Sequence, residues 1–164
     1  MNSEVESGEM AENAFKVFMR QHPPVGELVD RADAVLWETT VLNPILKERM
    51  RIVLAEAIGC SYCARVRTTY EGRPVLDGDA ELPAAERRRI ELVESYAAAV
   101  VGSGEPPDEM TRRVQEEFTA EEFADLIFTM SWYIGTQHVG RLLHWDQQCP
   151  VAPIRDMVES GAAA

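Results

Sequence analysis

The sequence predicts an all-α protein with six or seven helices, and three observations lead to this prediction. Apolar residues recur at steps of three and four over most of the 164 residues, which is the spacing of one helical face. Prolines and glycines separate these stretches, and no run shows the apolar-polar alternation between turn residues that is typical of a strand. Hydrophobic residues make up 46% and charged residues 27%, a globular profile that favours a single domain with a substantial core.

The first two helices are expected on either side of a double proline. Residues 1–12 are polar and acidic, so we expect a flexible N-terminus before the domain begins at residue 13. A short helix then ends before His22-Pro23-Pro24, because proline is not tolerated in the interior of a helix. A second helix is expected from Val25 to about Thr40, where apolar residues again follow helical spacing.

A third helix begins at Pro44, a favoured first helical residue, and Gly59 breaks it. A fourth helix then follows, and its first turn carries Cys60 and Cys63. Amide donors and the positive end of the helix dipole favour a thiolate in such a turn. The third helix has an apolar stripe made of Ile45, Leu46, Met50, Val53, Leu54, Ala57 and Ile58.

Three more helices are expected after a loop that runs from Tyr70 to Asp79. One begins near Leu82-Pro83 and ends at the glycines 102 and 104, and the next runs from Pro106-Pro107 to Phe118. The spacing of Thr119 and Glu122 predicts a capping box at the start of the last helix, which extends to about Trp145. The domain is expected to end at residue 158, before a flexible tail over residues 159–164.

Charge and hydropathy narrow the classes of partner. The formal net charge of −12 argues against nucleic acid, whose binding needs clustered positive charge. The basic run Arg87-Arg88-Arg89 is bracketed by Glu86 and Glu91, which is typical of a solvated helix face. No stretch approaches the ~20 apolar residues that span a bilayer, and the N-terminus lacks the pattern of a signal peptide. We therefore expect a cytoplasmic protein without a membrane partner.

The sequence Cys60-Ser61-Tyr62-Cys63 is the motif with the clearest chemical meaning. Two thiols three residues apart can share a helical turn and cycle between dithiol and disulfide. In a reducing compartment such a pair is redox-active or binds metal, but a structural metal site needs about four ligands and the chain offers no second pair of this kind. The alternative is that both cysteines are small buried hydrophobic residues. Cys149, the third cysteine, lies far away in the sequence.

The chain resembles the carboxymuconolactone decarboxylase superfamily, and within it the alkylhydroperoxidase D-like branch. The matching phrases include Glu48-Arg49, Ile58 to Cys63, Leu82 to Arg87, Phe118 to Leu126 and Gly140 to Leu142, over roughly residues 25 to 146. The family motif is a glutamate, eleven residues, a Cys-x-x-Cys pair, three residues and a histidine. Glu48, Cys60 and Cys63 match this motif, but Arg67 stands in place of the histidine.

This resemblance implies a helical bundle with thiol peroxidase or disulfide reductase activity, in a homo-oligomer without a prosthetic group. Cys63 would attack the peroxide as a thiolate, Cys60 would resolve the sulfenic acid into a disulfide, and a thiol partner, which the sequence leaves unknown, would reduce it. Glu48 would belong to a proton relay. Two alternatives stay open, namely a lactone decarboxylase-like enzyme of the same superfamily and a non-catalytic helical oligomer that senses redox state.

Arg67 changes what is expected of this chemistry. Four residues after Cys63, it would share that residue's helical face and stabilise a thiolate by charge, but a guanidinium keeps its proton near neutral pH. It is also placed to form an ion pair with Glu48 if the chain turns at Gly59. A slow peroxidase or a disulfide exchanger is therefore expected, unless His138 or His144 replaces the missing histidine in space.

Overall fold

The computed structural model describes residues 18–39, 41–70 and 73–143, and within these ranges the fold is all-α. Six α-helices lie wholly within the described ranges: α1 is Pro23–Ala34, α2 is Pro44–Ile58, α3 is Ser61–Arg65, α4 is Ala84–Ser103, α5 is Asp108–Glu117 and α6 is Ala120–Leu142. A π-helical turn, Val35–Thr39, extends α1, and a 3₁₀ helix, Val75–Glu81, precedes α4. The predicted fold class and its six or seven helices are confirmed.

The N-terminal boundaries differ slightly from the prediction. Phe18 and Met19 are helical, while the earlier residues of the predicted first helix lie outside the described ranges. The double proline opens α1, since Pro23 is its first residue. Proline is tolerated in the first turn because the amide it lacks has no partner there in any helix.

The segment predicted as a loop from Tyr70 to Asp79 contains short regular structure. The strands β1 (Thr69–Tyr70) and β2 (Arg73–Pro74) pair antiparallel, with Thr69 opposite Pro74. The 3₁₀ helix follows at once. Two-residue strands carry almost no apolar pattern, so periodicity in the sequence could not reveal them.

The later helix boundaries follow the predicted signals closely. Pro107 precedes α5, and the predicted capping box opens α6. The Glu122 amide donates to Thr119 Oγ1 at 3.2 Å, and the Thr119 amide donates to Glu122 Oε2 at 2.9 Å. α6 ends at Leu142, and Trp145 lies outside the described residues. No helix in the described part of the chain combines the length and apolar character needed to cross a bilayer.

α2 is the central helix of the core, since it packs against both α4 and α6. The fully or nearly fully buried apolar residues of these three helices include Leu46, Met50, Leu54, Ala55, Ile58, Ile90, Val93, Ala97, Leu126 and Met130. Because α2 is covered on several sides, three of its charged residues, Lys47, Glu48 and Arg51, are buried as well. Buried charges need partners, and the charged groups of Glu48 and Arg51 lie beside the cysteine pair.

Candidate functional site

Gly59 ends α2 and turns the chain toward the cysteines, as the sequence predicts. Its φ of 80° is left-handed, a conformation that favours glycine. The amides of Gly59 and Cys60 donate to the carbonyl oxygens of Glu56 and Ala55 at 3.1 and 2.9 Å. This is the Schellman arrangement, which satisfies the last carbonyls of a helix. It fixes the backbone of Cys60 to the end of α2.

Cys60 and Cys63 form a disulfide, with the sulfurs 2.07 Å apart and the Cα atoms 5.3 Å apart. Cys60 is the residue immediately before α3, and Cys63 lies in the first turn, as predicted. The Cys63 amide donates to Cys60 Sγ at 3.3 Å. Cys60 is only 2% exposed, whereas Cys63 is partly exposed. The two cysteines therefore differ in accessibility. Cys149 lies outside the described residues.

Glu48 is completely buried on α2 and has four hydrogen-bond donors. Arg51 Nε and Nη2 donate to its two carboxylate oxygens, each at 2.8 Å. The Thr68 amide and hydroxyl donate to the same oxygens at 3.1 and 2.7 Å. Burial raises the pKa of Glu48, but the Arg51 guanidinium and the Thr68 donors outweigh it and hold that pKa below its usual range. Glu48 is thus a paired carboxylate at neutral pH.

Arg51 joins Glu48 to the segment that carries Cys63. Besides its fork to Glu48, its Nη1 donates to the Cys63 carbonyl oxygen and its Nη2 donates to the Val66 carbonyl oxygen at 2.6 Å. The Arg51 side chain is about one-tenth exposed. Arg51 was not among the predicted site residues, although its spacing of three residues from Glu48 on a predicted helix is a readable signal for an ion pair.

Arg67 occupies a different place from the one expected. α3 ends at Arg65 and Val66 is extended, so Arg67 does not share a helical face with Cys63. It is exposed, and its Nη1 donates to the carbonyl oxygens of Ala64 and Val66 at 2.5 and 3.0 Å. The ion pair predicted between Arg67 and Glu48 is replaced by the one with Arg51. The physical reason is the shortness of α3, whose length the apolar pattern does not set.

Neither of the two histidines considered as replacements is identified as a proton donor for the cysteine pair. His138 lies on α6 and is exposed, and His144 lies outside the described residues. The arrangement around the pair is therefore a buried carboxylate and a buried guanidinium beside a partly exposed Cys63. Such a site can hold charge next to the cysteines, but the Arg51 and Thr68 donors keep the pKa of Glu48 low, so this carboxylate does not supply a proton readily near neutral pH.

α6 forms the second wall of the site. Gln137 Nε2 donates to the Arg51 carbonyl oxygen at 2.8 Å, and Arg141 Nη1 donates to the Ile58 carbonyl oxygen at 2.9 Å. Gln137 is 3% exposed, and among the described residues its amide oxygen has no hydrogen-bond partner. Sequence reasoning missed Gln137 and Thr68, because the chain alone does not show which helix faces will meet.

An apolar cluster lies on the other side of the cysteine turn. Tyr62, between the two cysteines, packs against buried Val29 of α1, together with Phe18, Met19, Trp132 and Val139. α3 is thus held between α2, α1 and α6. In the described part of the chain, no three His, Cys, Asp or Glu side chains form a group that could bind a metal ion.

Comparison with protein-family models, with curated proteins and with solved structures gave no match to this chain. The geometry of the residues themselves is therefore the basis for a functional proposal.

Proposed function

We propose that this chain is a thiol–disulfide oxidoreductase that cycles between the Cys60–Cys63 disulfide and the dithiol, with peroxides or disulfides as oxidants. The observation that carries the proposal is the disulfide itself, formed between a buried and a partly exposed cysteine. A thiolate must be accessible in order to attack an external oxidant. Cys63 is therefore assigned as the attacking residue and Cys60 as the resolving one, in agreement with the family resemblance.

With a peroxide as oxidant, the reaction runs in two balanced steps. The Cys63 thiolate attacks one peroxide oxygen, and the O–O bond breaks to give the Cys63 sulfenic acid and, after uptake of one proton, an alcohol or water. The Cys60 thiol then attacks the sulfenic sulfur, which forms the disulfide and releases water. An external dithiol restores the two thiols by exchange and is itself oxidised to a disulfide.

The residues around the pair favour disulfide exchange over fast peroxide reduction. Peroxide cleavage needs a proton for the departing oxygen, which a general acid near neutral pKa supplies best. Glu48 is held ionised by Arg51 and Thr68, and Arg67 points to backbone carbonyls. Disulfide exchange depends less on a general acid, because a thiolate is a far better leaving group than an alkoxide.

The test uses the reduced protein in a Cys149→Ser background, so that only two thiols are counted. We expect peroxide or a small disulfide to remove both thiols per chain, and a dithiol to restore them. Cys63→Ser should abolish oxidant consumption, whereas Cys60→Ser should still lose its single thiol at Cys63. Oxidation of Cys63→Ser at the wild-type rate, or thiols that never react in the wild type, would contradict the proposal.

Arg67→His tests the proposed lack of a general acid. An imidazole at this position would restore the family motif, so we expect faster peroxide consumption with little change in the rate of exchange with small disulfides. An equal increase of both rates would mean that the substitution changes access to Cys63 rather than proton supply.

One observation favours a second candidate function, a redox sensor without turnover. Arg51 connects Cys63 to the central helix through a partly buried bond to the Cys63 carbonyl and buried bonds to Glu48, so oxidation of the pair can alter packing as well as chemistry. A sensor would lose two thiols once per chain, change its thermal stability, and show no sustained consumption of oxidant when dithiol is supplied. Sustained turnover would decide for the enzyme.

A further inference from the structure

The segment that follows Cys63 has little regular structure of its own. α3 contains five residues, and Val66 after it is extended. The carbonyl groups in the last turn of a helix have no partner within that helix. Here Arg51 supplies donors from outside, since its guanidinium reaches the carbonyl oxygens of both Cys63 and Val66. The position of the Cys63 backbone thus depends on a side chain of α2.

Arg51 is itself held rigidly, which makes it an effective anchor. Its guanidinium forms a two-pronged pair with the Glu48 carboxylate at 2.8 Å for each bond, and its own carbonyl oxygen accepts from Gln137 of α6 at 2.8 Å. A planar fork of this kind fixes orientation as well as distance. Glu48 is in turn fixed by Thr68, so the side chain has little freedom to leave the Cys63 carbonyl.

Both ends of the cysteine turn are therefore fixed to α2. Cys60 is held by the bond from its amide to the Ala55 carbonyl, and Cys63 is held by Arg51. A disulfide requires Cα atoms within a narrow range of separation, whereas a dithiol has no such requirement. Any contact that keeps the two backbones close stabilises the disulfide more than the dithiol.

We infer that Arg51 is a positioning residue that favours the disulfide form of the Cys60–Cys63 pair, by anchoring the Cys63 backbone to Glu48 on α2. This inference rests on the proposed function and deepens it, because it assigns to Arg51 the control of the reduction equilibrium of the pair. The cation that influences the reduction equilibrium of the pair is then Arg51. Arg67, which stands at the position of the family histidine, has no part in it.

The experiment measures the ratio of dithiol to disulfide in dithiothreitol and glutathione buffers of defined composition, in the Cys149→Ser background. We expect Arg51→Met to shift this ratio about tenfold toward the dithiol, equivalent to about 30 mV for a two-electron couple. Arg51→Lys should shift it in the same direction but less, because an ammonium keeps the charge and loses the fork. If Arg51→Met does not fold, Arg51→Lys decides in its place.

Arg49→Met is the matched control, since Arg49 lies on the same helix and pairs with Asp79 and Glu94 at 2.8 and 2.6 Å, away from the cysteines. Its ratio should equal that of the wild type. An unchanged ratio in the Arg51 variants, or an equal shift in Arg49→Met, would overturn the inference. A wild-type pair that cannot be reduced and reoxidised would instead overturn the proposed function.

Discussion

Glu48 and Arg51 form a buried ion pair, and both charged groups have hydrogen-bond partners. The carboxylate accepts four hydrogen bonds, and the guanidinium also serves two carbonyl groups of the cysteine segment. Replacing such a pair by apolar groups can be tolerated, but removing one partner leaves a buried charge uncompensated. The function of this pair is therefore best tested by changing one member at a time.

Glu48→Gln is expected to destabilise the protein by about 3 kcal/mol at neutral pH, because Arg51 loses its counter-charge. The pKa of Glu48 is lowered in the folded state, so its contribution to stability is present at neutral pH and is lost as the pH falls through the folded pKa. Denaturant unfolding at several pH values should show the wild-type advantage shrinking in acid.

The control for this comparison is Glu109→Gln. Glu109 pairs with Arg112 on the surface, where the two side chains are 66% and 56% exposed. Its loss should have little effect on the free energy of unfolding at any pH, because water screens the pair. A similar loss in the free energy of unfolding for both variants would show that the buried Glu48 pair stabilises the fold no more than a surface pair does.

Lys47 is the second buried charge of α2, and it behaves differently from Glu48. It is 1% exposed, its Nζ donates to the Leu36 carbonyl oxygen at 2.7 Å, and it lies 4.9 Å from the Trp37 ring centroid. Burial lowers the pKa of Lys47 to about 8, against the opposing attraction of Asp125. The folded protein therefore binds this proton less strongly than the unfolded chain does.

The free energy of unfolding should consequently rise with pH above 8 because of Lys47. The slope can reach about 1.4 kcal/mol per pH unit, since the unfolded lysine still holds its proton there. Lys47→Met should remove this part of the rise, which unfolding curves of both proteins between pH 7 and 10.5 would reveal. Parallel pH profiles for wild type and variant would contradict the prediction.

At the level of elements, the turn between α2 and α3 places the cysteine pair. The turn depends on a left-handed residue at Gly59, and a Cβ there would meet no atom within 4 Å. The demand for glycine is therefore one of backbone conformation and not of space. This separates Gly59 from a helical glycine such as Gly102, which is exposed near the end of α4.

Gly59→Ala is expected to cost about 1 kcal/mol, because an L-residue is strained in the left-handed region. Gly102→Ala, where a Cβ also meets nothing within 4 Å, should instead stabilise the protein by up to about 1 kcal/mol. Thermal unfolding of both variants gives the comparison. A stabilised Gly59→Ala would mean that the turn relaxes to another conformation.

For the whole molecule, the central position of α2 determines which polar groups are buried. α6 covers it with a stripe of Thr129, Tyr133 and Gln137, spaced four residues apart, and each has a buried polar atom without a hydrogen-bond partner among the described residues. Burial raises the pKa of Tyr133, so its hydroxyl stays neutral over the physiological range. The homo-oligomer implied by the family resemblance stays a prediction.

Tyr133→Phe is expected to leave the free energy of unfolding within about 0.5 kcal/mol of the wild type or to raise it, since it removes a buried hydroxyl that has no bond to lose. Leu54→Ala, at a fully buried core position, should lose about 2–5 kcal/mol through its cavity. Chemical denaturation measures both. A loss above about 1 kcal/mol for Tyr133→Phe would show that the hydroxyl is bonded in solution.

Much of the fold could be predicted because its signals are local. The end of α2 at Gly59, the start of α5 after Pro107 and the capping box of α6 each depend on residues within one helical turn. The short strand pair was missed because its bonds join residues that carry no periodic pattern. The site was predicted in part, since the cysteines and Glu48 follow a fixed spacing, whereas Thr68 and Gln137 meet Glu48 and Arg51 only through tertiary packing.

The sequence by itself determined the helical class, the helix ends marked by glycine, proline or a capping box, and the spacing that lets two thiols pair, because these depend on backbone preferences and spacing along the chain. Only the tertiary structure decided which charge lies beneath the cysteine pair. Arg51 and Arg67 carry the same guanidinium group, nine residues before Cys60 and four residues after Cys63. The end of α3 at Arg65 leaves Arg67 exposed, while the covering of α2 by α6 buries Arg51 against Glu48. Burial makes that contact strong, and burial depends on the packing of elements that are distant in the sequence.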